Sequence, residues 1–184
     1  MLTTMQRILV IGNPGSGKTT LATALGRVLQ LPLIHLDQHF WRAGWRPTPR
    51  EEWREKVRQL VAGENWIIDG NYDSSLDIRL PRADTVIYFD FPTMVCLRRI
   101  AGRVIRGYGK VRPDLAPGCP ERFDWAFLIY ILGFRYSVRP IILRQIRETQ
   151  SESKLIRLCR QSEVDRFRSG VVATGSGRGP SQSE

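Results

Sequence analysis

The sequence predicts an α/β protein, a parallel sheet wrapped by helices, on three observations. Short apolar β-type runs alternate with stretches of helical periodicity along the chain. The first run, Arg7-Ile8-Leu9-Val10-Ile11, is almost uniformly apolar, as a central parallel strand covered on both faces requires. A glycine-rich segment, Gly12-Asn13-Pro14-Gly15-Ser16-Gly17-Lys18-Thr19, joins that run directly to a helix.

The predicted elements follow in order. A helix from Thr20 to Gln30 places Leu21, Ala24, Leu25, Val28 and Leu29 at three- and four-residue spacing, one stripe for burial against the sheet. Leu33–Leu36 is the second β run. Thr48 reads as an N-cap, with Pro49 at the first helical position and Glu51 completing a capping box, for a helix that runs to about Ala62 and stops at Gly63. Trp66-Ile67-Ile68, Thr85–Phe89 and Lys154–Leu158 are the remaining strands. Helices are predicted over Thr93–Ile105 and over Asp124–Glu148, the latter broken or bent near Gly133 and Pro140. Between those two helices, Arg106–Arg122 holds three prolines and three glycines and reads as a mobile loop or short lid. From Ser169 onward Gly, Ser, Thr and Pro dominate, and a disordered tail over 169–184 is expected.

A chain of 184 residues fits one domain with a sizeable core. The net charge of +10 is uneven: Leu97–Arg147 carries eleven basic residues against Asp114, Glu121 and Asp124, a field that attracts polyanions, whether nucleotides or nucleic acid. Cys96, Cys119 and Cys159 form no C-x-x-C pair and leave an odd thiol, which points to a reducing cytoplasm rather than a disulfide framework. The first apolar run is already the first strand, so no signal peptide is read, and Ala126–Gly133 is too short to span a bilayer, so no membrane partner is expected. Oligomeric state is not legible.

The segment Gly12–Thr19 fills every fixed place of the phosphate-binding pattern G-x-x-x-x-G-K-[ST], Walker A, between a buried strand and a helix. A polyphosphate needs many N–H donors aimed inward, and glycines let the backbone curl tightly enough to supply them. Lys18 would reach the outer phosphates, Thr19 would give a hydroxyl to Mg2+, and the helix start would direct its positive dipole end at the anion. Parallel sheets hold ligands at the carboxyl ends of strands, which here carry Asp37, Asp69 and Asp90. Asp69 is the candidate carboxylate for Mg2+ or its water, Asp37 the candidate partner of an acceptor hydroxyl, and Asp90 a strand-end or capping residue. Arg99 and Arg103 share a helix face and suit phosphate, and Arg106, Lys110, Arg112 and Arg122 are lid cations. Arg79 and Arg82 are candidates for an acceptor's anionic group. Trp41 and Trp45, with Phe40, are core cover or a stacking wall, and His35 and His39 read as structural.

These residues resemble the P-loop kinases of the nucleoside monophosphate kinase type, and more narrowly the adenylate-kinase-like bacterial group known as DNA topology modulation proteins, over about residues 5–168. Gly12–Thr20 is similar to their phosphate loop, Ile68-Asp69-Gly70-Asn71-Tyr72 to their Asp-Gly-Phe-Pro-Arg strand end, and Arg99-Ile100-Ala101-Gly102-Arg103 to their Arg-x-x-Gly-Arg helix. The resemblance implies a three-layer α/β/α P-loop NTPase domain over 1–168 with a five-stranded parallel sheet of order 2-3-1-4-5, an acceptor insertion about 38–65 and a lid about 106–122. By the same likeness Arg99 packs on adenine and Arg103 contacts phosphates. Asn71-Tyr72 departs from the Phe-Pro-Arg of adenylate kinases and loses an arginine that grips the acceptor phosphate there, while Trp41–Pro47 is a feature of the narrower group. The expected function is ATP- and Mg2+-dependent phosphotransfer to a nucleotide or other small molecule. Its rival is an ATP-gated nucleic-acid-associated regulator, favoured by the basic segment but without a recognisable nucleic-acid-binding module.

Overall fold

The computed structural model describes residues 5–149, 151 and 154–175. Five strands, β1 (Arg7–Gly12), β2 (Leu33–His35), β5 (Trp66–Asp69), β6 (Thr85–Phe89) and β7 (Leu155–Leu158), form one sheet in the order β2-β5-β1-β6-β7. Every pairing in it is parallel. Ranked along the chain, that is the expected 2-3-1-4-5. The strands β3 (Trp41–Arg42) and β4 (Arg46–Pro47) make a separate antiparallel ribbon.

Helices cover both faces of the sheet, and β1 shows why its sequence is apolar throughout. Leu9 and Ile11 point to a cluster with Trp53 and Val57 of α3 (Arg50–Leu60), Leu76 of α4 (Leu76–Arg79) and Phe134, Val138, Ile142 and Ile146 of α6 (Trp125–Glu148). Ile8 and Val10 point the other way, to Leu21, Ala22 and Leu25 of α1 (Lys18–Leu29), Cys96 and Ile100 of α5 (Thr93–Gly107) and Val164 and Val171 of α7 (Gln161–Gly175). Alternating side chains thus feed two cores, which is the three-layer α/β/α arrangement.

Several local expectations are corrected. The helix α3 starts at Arg50 with Pro49 as its cap residue, and Thr48 caps nothing: its hydroxyl donates to the Phe40 carbonyl at 2.6 Å, closing the β3–β4 ribbon onto α2 (Leu36–Phe40). The helix α6 is unbroken through Gly133 and Pro140. Proline there withholds a hydrogen bond from the carbonyl four residues back, at Tyr136, whose side chain is 83% exposed, so water can serve that carbonyl. At 24 residues α6 is also long and apolar enough to cross a membrane by length and composition, which the short run Ala126–Gly133 did not suggest. Its buried stripe nevertheless packs on the sheet. Asp90 caps no helix; it accepts hydrogen bonds from Arg139 of α6 and Arg157 of β7, clamping that helix to the sheet edge. The helix α7 continues through Gly175, so the first part of the expected tail is helical, and 176–184 lies outside the described residues.

Candidate active site

One cleft of about 900 Å³ opens at the carboxyl ends of β1, β2 and β5, under the segment that joins α5 to α6. Its floor is the turn between β1 and α1. Gly12 and Gly15 sit at φ 142° and 79°, and a Cβ there would lie 2.4 Å from the Phe89 carbonyl oxygen and 2.6 Å from that of Cys96, so only glycine lets the turn press against β6 and α5. Pro14, Gly15, Gly17, Lys18, Thr19 and Thr20 face the cleft. Gly12, Asn13 and Ser16 do not. The Gly12 amide donates to Asn71 Oδ1 at 2.8 Å, and Asn13 and Ser16 are buried, with Asn13 Oδ1 and Ser16 Oγ lacking a hydrogen-bond partner.

Lys18 is buried, and its ammonium donates to the Asn13 carbonyl at 3.1 Å. Burial pulls its pKa below the ordinary lysine value, opposed by the charges of Asp69 and Asp37. The Thr19 hydroxyl donates to Asp69 Oδ2 at 2.6 Å, which joins the start of α1 to the end of β5. Asp69 Oδ1 is buried without a hydrogen-bond partner. A hard cation such as Mg2+ takes oxygen ligands and keeps several waters, so a hydroxyl beside an orphaned carboxylate oxygen fits it.

Asp37, in α2 just past the end of β2, faces the same space. It accepts from the Tyr72 hydroxyl at 2.5 Å. Burial raises its pKa above the ordinary carboxylate value, with the Tyr72 hydrogen bond pulling the other way. Tyr72 itself is held well above the usual phenol range by burial and by Asp37. Its backbone lies at φ 40°, a region that costs a non-glycine residue free energy unless the surroundings impose it. Arg79 imposes it. That guanidinium is fully buried and donates to the carbonyls of Gly70, Asn71 and Tyr72, while the Tyr72 ring packs on Phe40 and Trp53.

The arginines divide. Arg99 lines the cleft over the Phe91 ring, donates to the Ser16 carbonyl at 2.7 Å and reaches Gln161 of α7. Arg103 also lines it, paired at 3.0 Å with Glu121. Of the expected lid cations, Arg112 and Arg122 line the cleft and Arg106 and Lys110 do not. Arg79 and Arg82 are also absent from the lining: Arg79 braces the Tyr72 turn and Arg82 binds the Val61 and Ala62 carbonyls and Glu64, so neither offers itself to an acceptor.

Sequence reasoning missed Tyr72, Glu121 and His35. His35 Nδ1 lies 3.4 Å from Asp69 Oδ2, and that hydrogen bond raises the imidazole pKa against the effect of burial. The missed signal was register: His35 pairs with Asp69 across β2 and β5, so the two share one strand end. No single-strand reading contains that fact. Trp41 and Trp45 line the cleft with rings 5.4 Å apart, whereas Phe40 joins the core.

No protein-family model matches the chain. A shikimate kinase of Limosilactobacillus fermentum (strain NBRC 3956 / LMG 18251) is 42% identical over 43 residues, 23% of this chain, so the match spans only 25% of that kinase's length. Three solved structures are similar throughout. A shikimate kinase from Bacteroides thetaiotaomicron covers 92% of this chain and 98% of its own at 18% identity and a TM-score of 0.51. A shikimate kinase from Acinetobacter baumannii in complex with shikimate covers 95% of both at 17% identity and 0.55. A gluconokinase from Sinorhizobium meliloti 1021 covers 93% of this chain and 91% of its own at 14% identity and 0.50. Likeness at such identities speaks to architecture: the chain shares with these kinases an α/β fold with a five-stranded parallel sheet covered by helices.

Proposed function

We propose that this protein is an ATP- and Mg2+-dependent phosphotransferase acting on the hydroxyl of a small molecule. One observation carries the reading: a single cleft gathers the glycine turn with Lys18, the Thr19–Asp69 pair and the buried Asp37. Phosphoryl transfer asks a protein for positioning and charge stabilisation more than for covalent chemistry, and these groups supply both.

The turn Gly12–Thr20 holds the triphosphate, with Lys18 leaving the Asn13 carbonyl for the outer phosphates. Thr19 and Asp69 hold Mg2+, which when bound neutralises phosphate charge and orients the transferring group. Arg103 stabilises charge on that group, and Arg99 lies where it can stack on the donor's base, as it stacks on Phe91 here. Asp37 aligns the acceptor hydroxyl and takes its proton as the acceptor oxygen bonds to phosphorus and ADP leaves. Burial keeps the carboxylate basic enough for that transfer. The insertion over 38–65 serves the acceptor, and the segment 106–122 closes over both ligands.

Within the P-loop kinases the DNA topology modulation group is the narrower placement, for which Trp41–Pro47 speaks, while the Arg99–Arg103 spacing speaks for the wider adenylate-kinase-like group. Three free thiols support a cytoplasmic setting. The regulator reading lacks a recognisable nucleic-acid-binding module, and five arginines of the basic segment, Arg103, Arg112, Arg122, Arg139 and Arg144, are each paired with a carboxylate. Titration calorimetry with Mg-ATP, followed by ADP release against a panel of alcohols, tests the proposal. Binding with acceptor-dependent ADP supports it, and a folded protein that takes up no Mg-nucleotide refutes it.

A further inference from the structure

Resting on the kinase reading, the cleft also restricts the charge of the acceptor. We infer that the acceptor is an alcohol with a flat face, of nucleoside or sugar type, and carries neither phosphate nor carboxylate.

The cations decide this. At the acceptor end, lined by the insertion, by the residues after β5 and by the lid, two arginines, Arg112 and Arg122, face the space, and each already holds a carboxylate. Arg103 binds Glu121 at 3.0 Å, Arg112 binds Asp114 at 3.0 Å and Glu121 at 3.3 Å, and Arg122 binds Asp124 at 3.3 Å. The Glu121 side chain is only 6% exposed and is shared by Arg103 and Arg112, so an anion that drew Arg112 away would leave that buried carboxylate with one arginine and Asp114 with none, an unfavourable exchange. The position closest in the chain to an anion-gripping arginine, Arg79, has its guanidinium turned onto three backbone carbonyls. Two further carboxylates face the space, Asp37, hydrogen-bonded by the Tyr72 hydroxyl, and Asp73, which makes no ion pair among the described residues, and both repel an anion.

The rest of the wall is aromatic. Trp41 and Trp45 meet edge to face, Trp45 is fixed by its indole N–H donating to the Pro120 carbonyl at 3.1 Å, and Tyr72 and Tyr130 complete the surface. Such rings bind a flat or apolar face, while Asp37 takes a hydroxyl.

The test uses the full chain and matched probes. Mg-ATP binding is measured first by calorimetry; its failure would sink the kinase reading itself. With Mg-ATP analogue bound, tryptophan fluorescence then follows titration with adenosine against AMP, thymidine against its 5′-monophosphate, and glucose against gluconate. At least one uncharged member is expected to bind about tenfold or more tightly than its charged partners. Equal or tighter binding of every charged member, or no binding by any probe, overturns the inference while leaving the donor site intact. Two variants sharpen it. Trp45→Ala should weaken the uncharged ligand about tenfold with Mg-ATP heat unchanged, and an unaltered affinity would count against the aromatic wall. Asp124→Asn keeps the helix cap and releases Arg122, so the monophosphate should gain about threefold or more; no gain would mean that pairing is not what excludes anions.

Discussion

The two ends of the cleft are built by opposite means. At the donor end the backbone does the work: consecutive residues 12–20 make a turn whose shape comes from glycine φ angles and contacts that admit no Cβ. At the acceptor end side chains from remote segments do it: Asp37 from α2, Tyr72 from the turn after β5, Arg79 beneath that turn, and Glu121 from the lid. A site made of local backbone tolerates little change in its own residues and depends on only a few distant ones, here Asn71 and Asp69. A site made of convergent side chains can be altered from many places, each with a smaller effect.

That contrast gives a graded set of expectations. Lys18→Ala should have the largest effect, lowering kcat/KM by about a thousandfold, because it removes the cation aimed at developing charge. Steady-state ADP release measures it, and near-normal turnover would break the assignment of the donor end. Asp37→Asn should lower kcat by about a hundredfold through loss of the proton acceptor while Mg-ATP affinity stays put. A loss of ATP affinity at normal saturated turnover would instead move Asp37 to the donor end.

The same residue yields a pH signature. Because the folded pKa of Asp37 is raised, the native state binds its proton more readily than the unfolded chain does. Stability therefore falls as pH rises from the ordinary carboxylate value through the raised one, and at neutral pH the ionised side chain is a net cost. Asp37→Asn should accordingly raise the melting temperature at pH 7 and not at low pH, read by thermal unfolding at several pH values. Activity should move the other way, declining as pH drops through the raised Asp37 pKa, and that acid limb should vanish in the Asn variant. An unchanged limb would assign it to another group.

Tyr72→Phe should have the smallest effect. It removes the donor to Asp37 and leaves the ring packed on Phe40 and Trp53, so acceptor kcat/KM should fall about tenfold, the scale of one hydrogen bond to a charged group. Calorimetry with Mg-ATP should detect no difference. If ATP binding weakens as well, the two ends are coupled through Asn71, whose side chain already accepts from the Gly12 amide.

Legibility in the sequence followed the same division. Gly12–Thr19 announces itself because its chemistry is contiguous, and β1 reads correctly because a strand between two helical layers must be apolar on both faces. Asp37 and Asp69 were singled out by their place at strand ends, and both line the cleft. Arg79 misled, since an arginine in sequence looks like a ligand for an anion, yet this one is fully buried and holds the Tyr72 turn in its left-handed conformation. Thr48-Pro49-Arg50-Glu51 misled in another way: the Thr48 hydroxyl found a nearer partner in the Phe40 carbonyl than in the helix it seemed to cap.

By itself the sequence determined the layer architecture, the donor turn and the residues at the strand ends, because each depends on neighbours within one turn or one strand. Only the tertiary structure decided that His35 meets Asp69, that Tyr72 donates to Asp37 and that the lid arginines are neutralised by Glu121, Asp114 and Asp124. Most of these contacts join residues far apart in the chain, and the charge a ligand meets is the sum over groups brought together by folding, a sum that no local pattern contains.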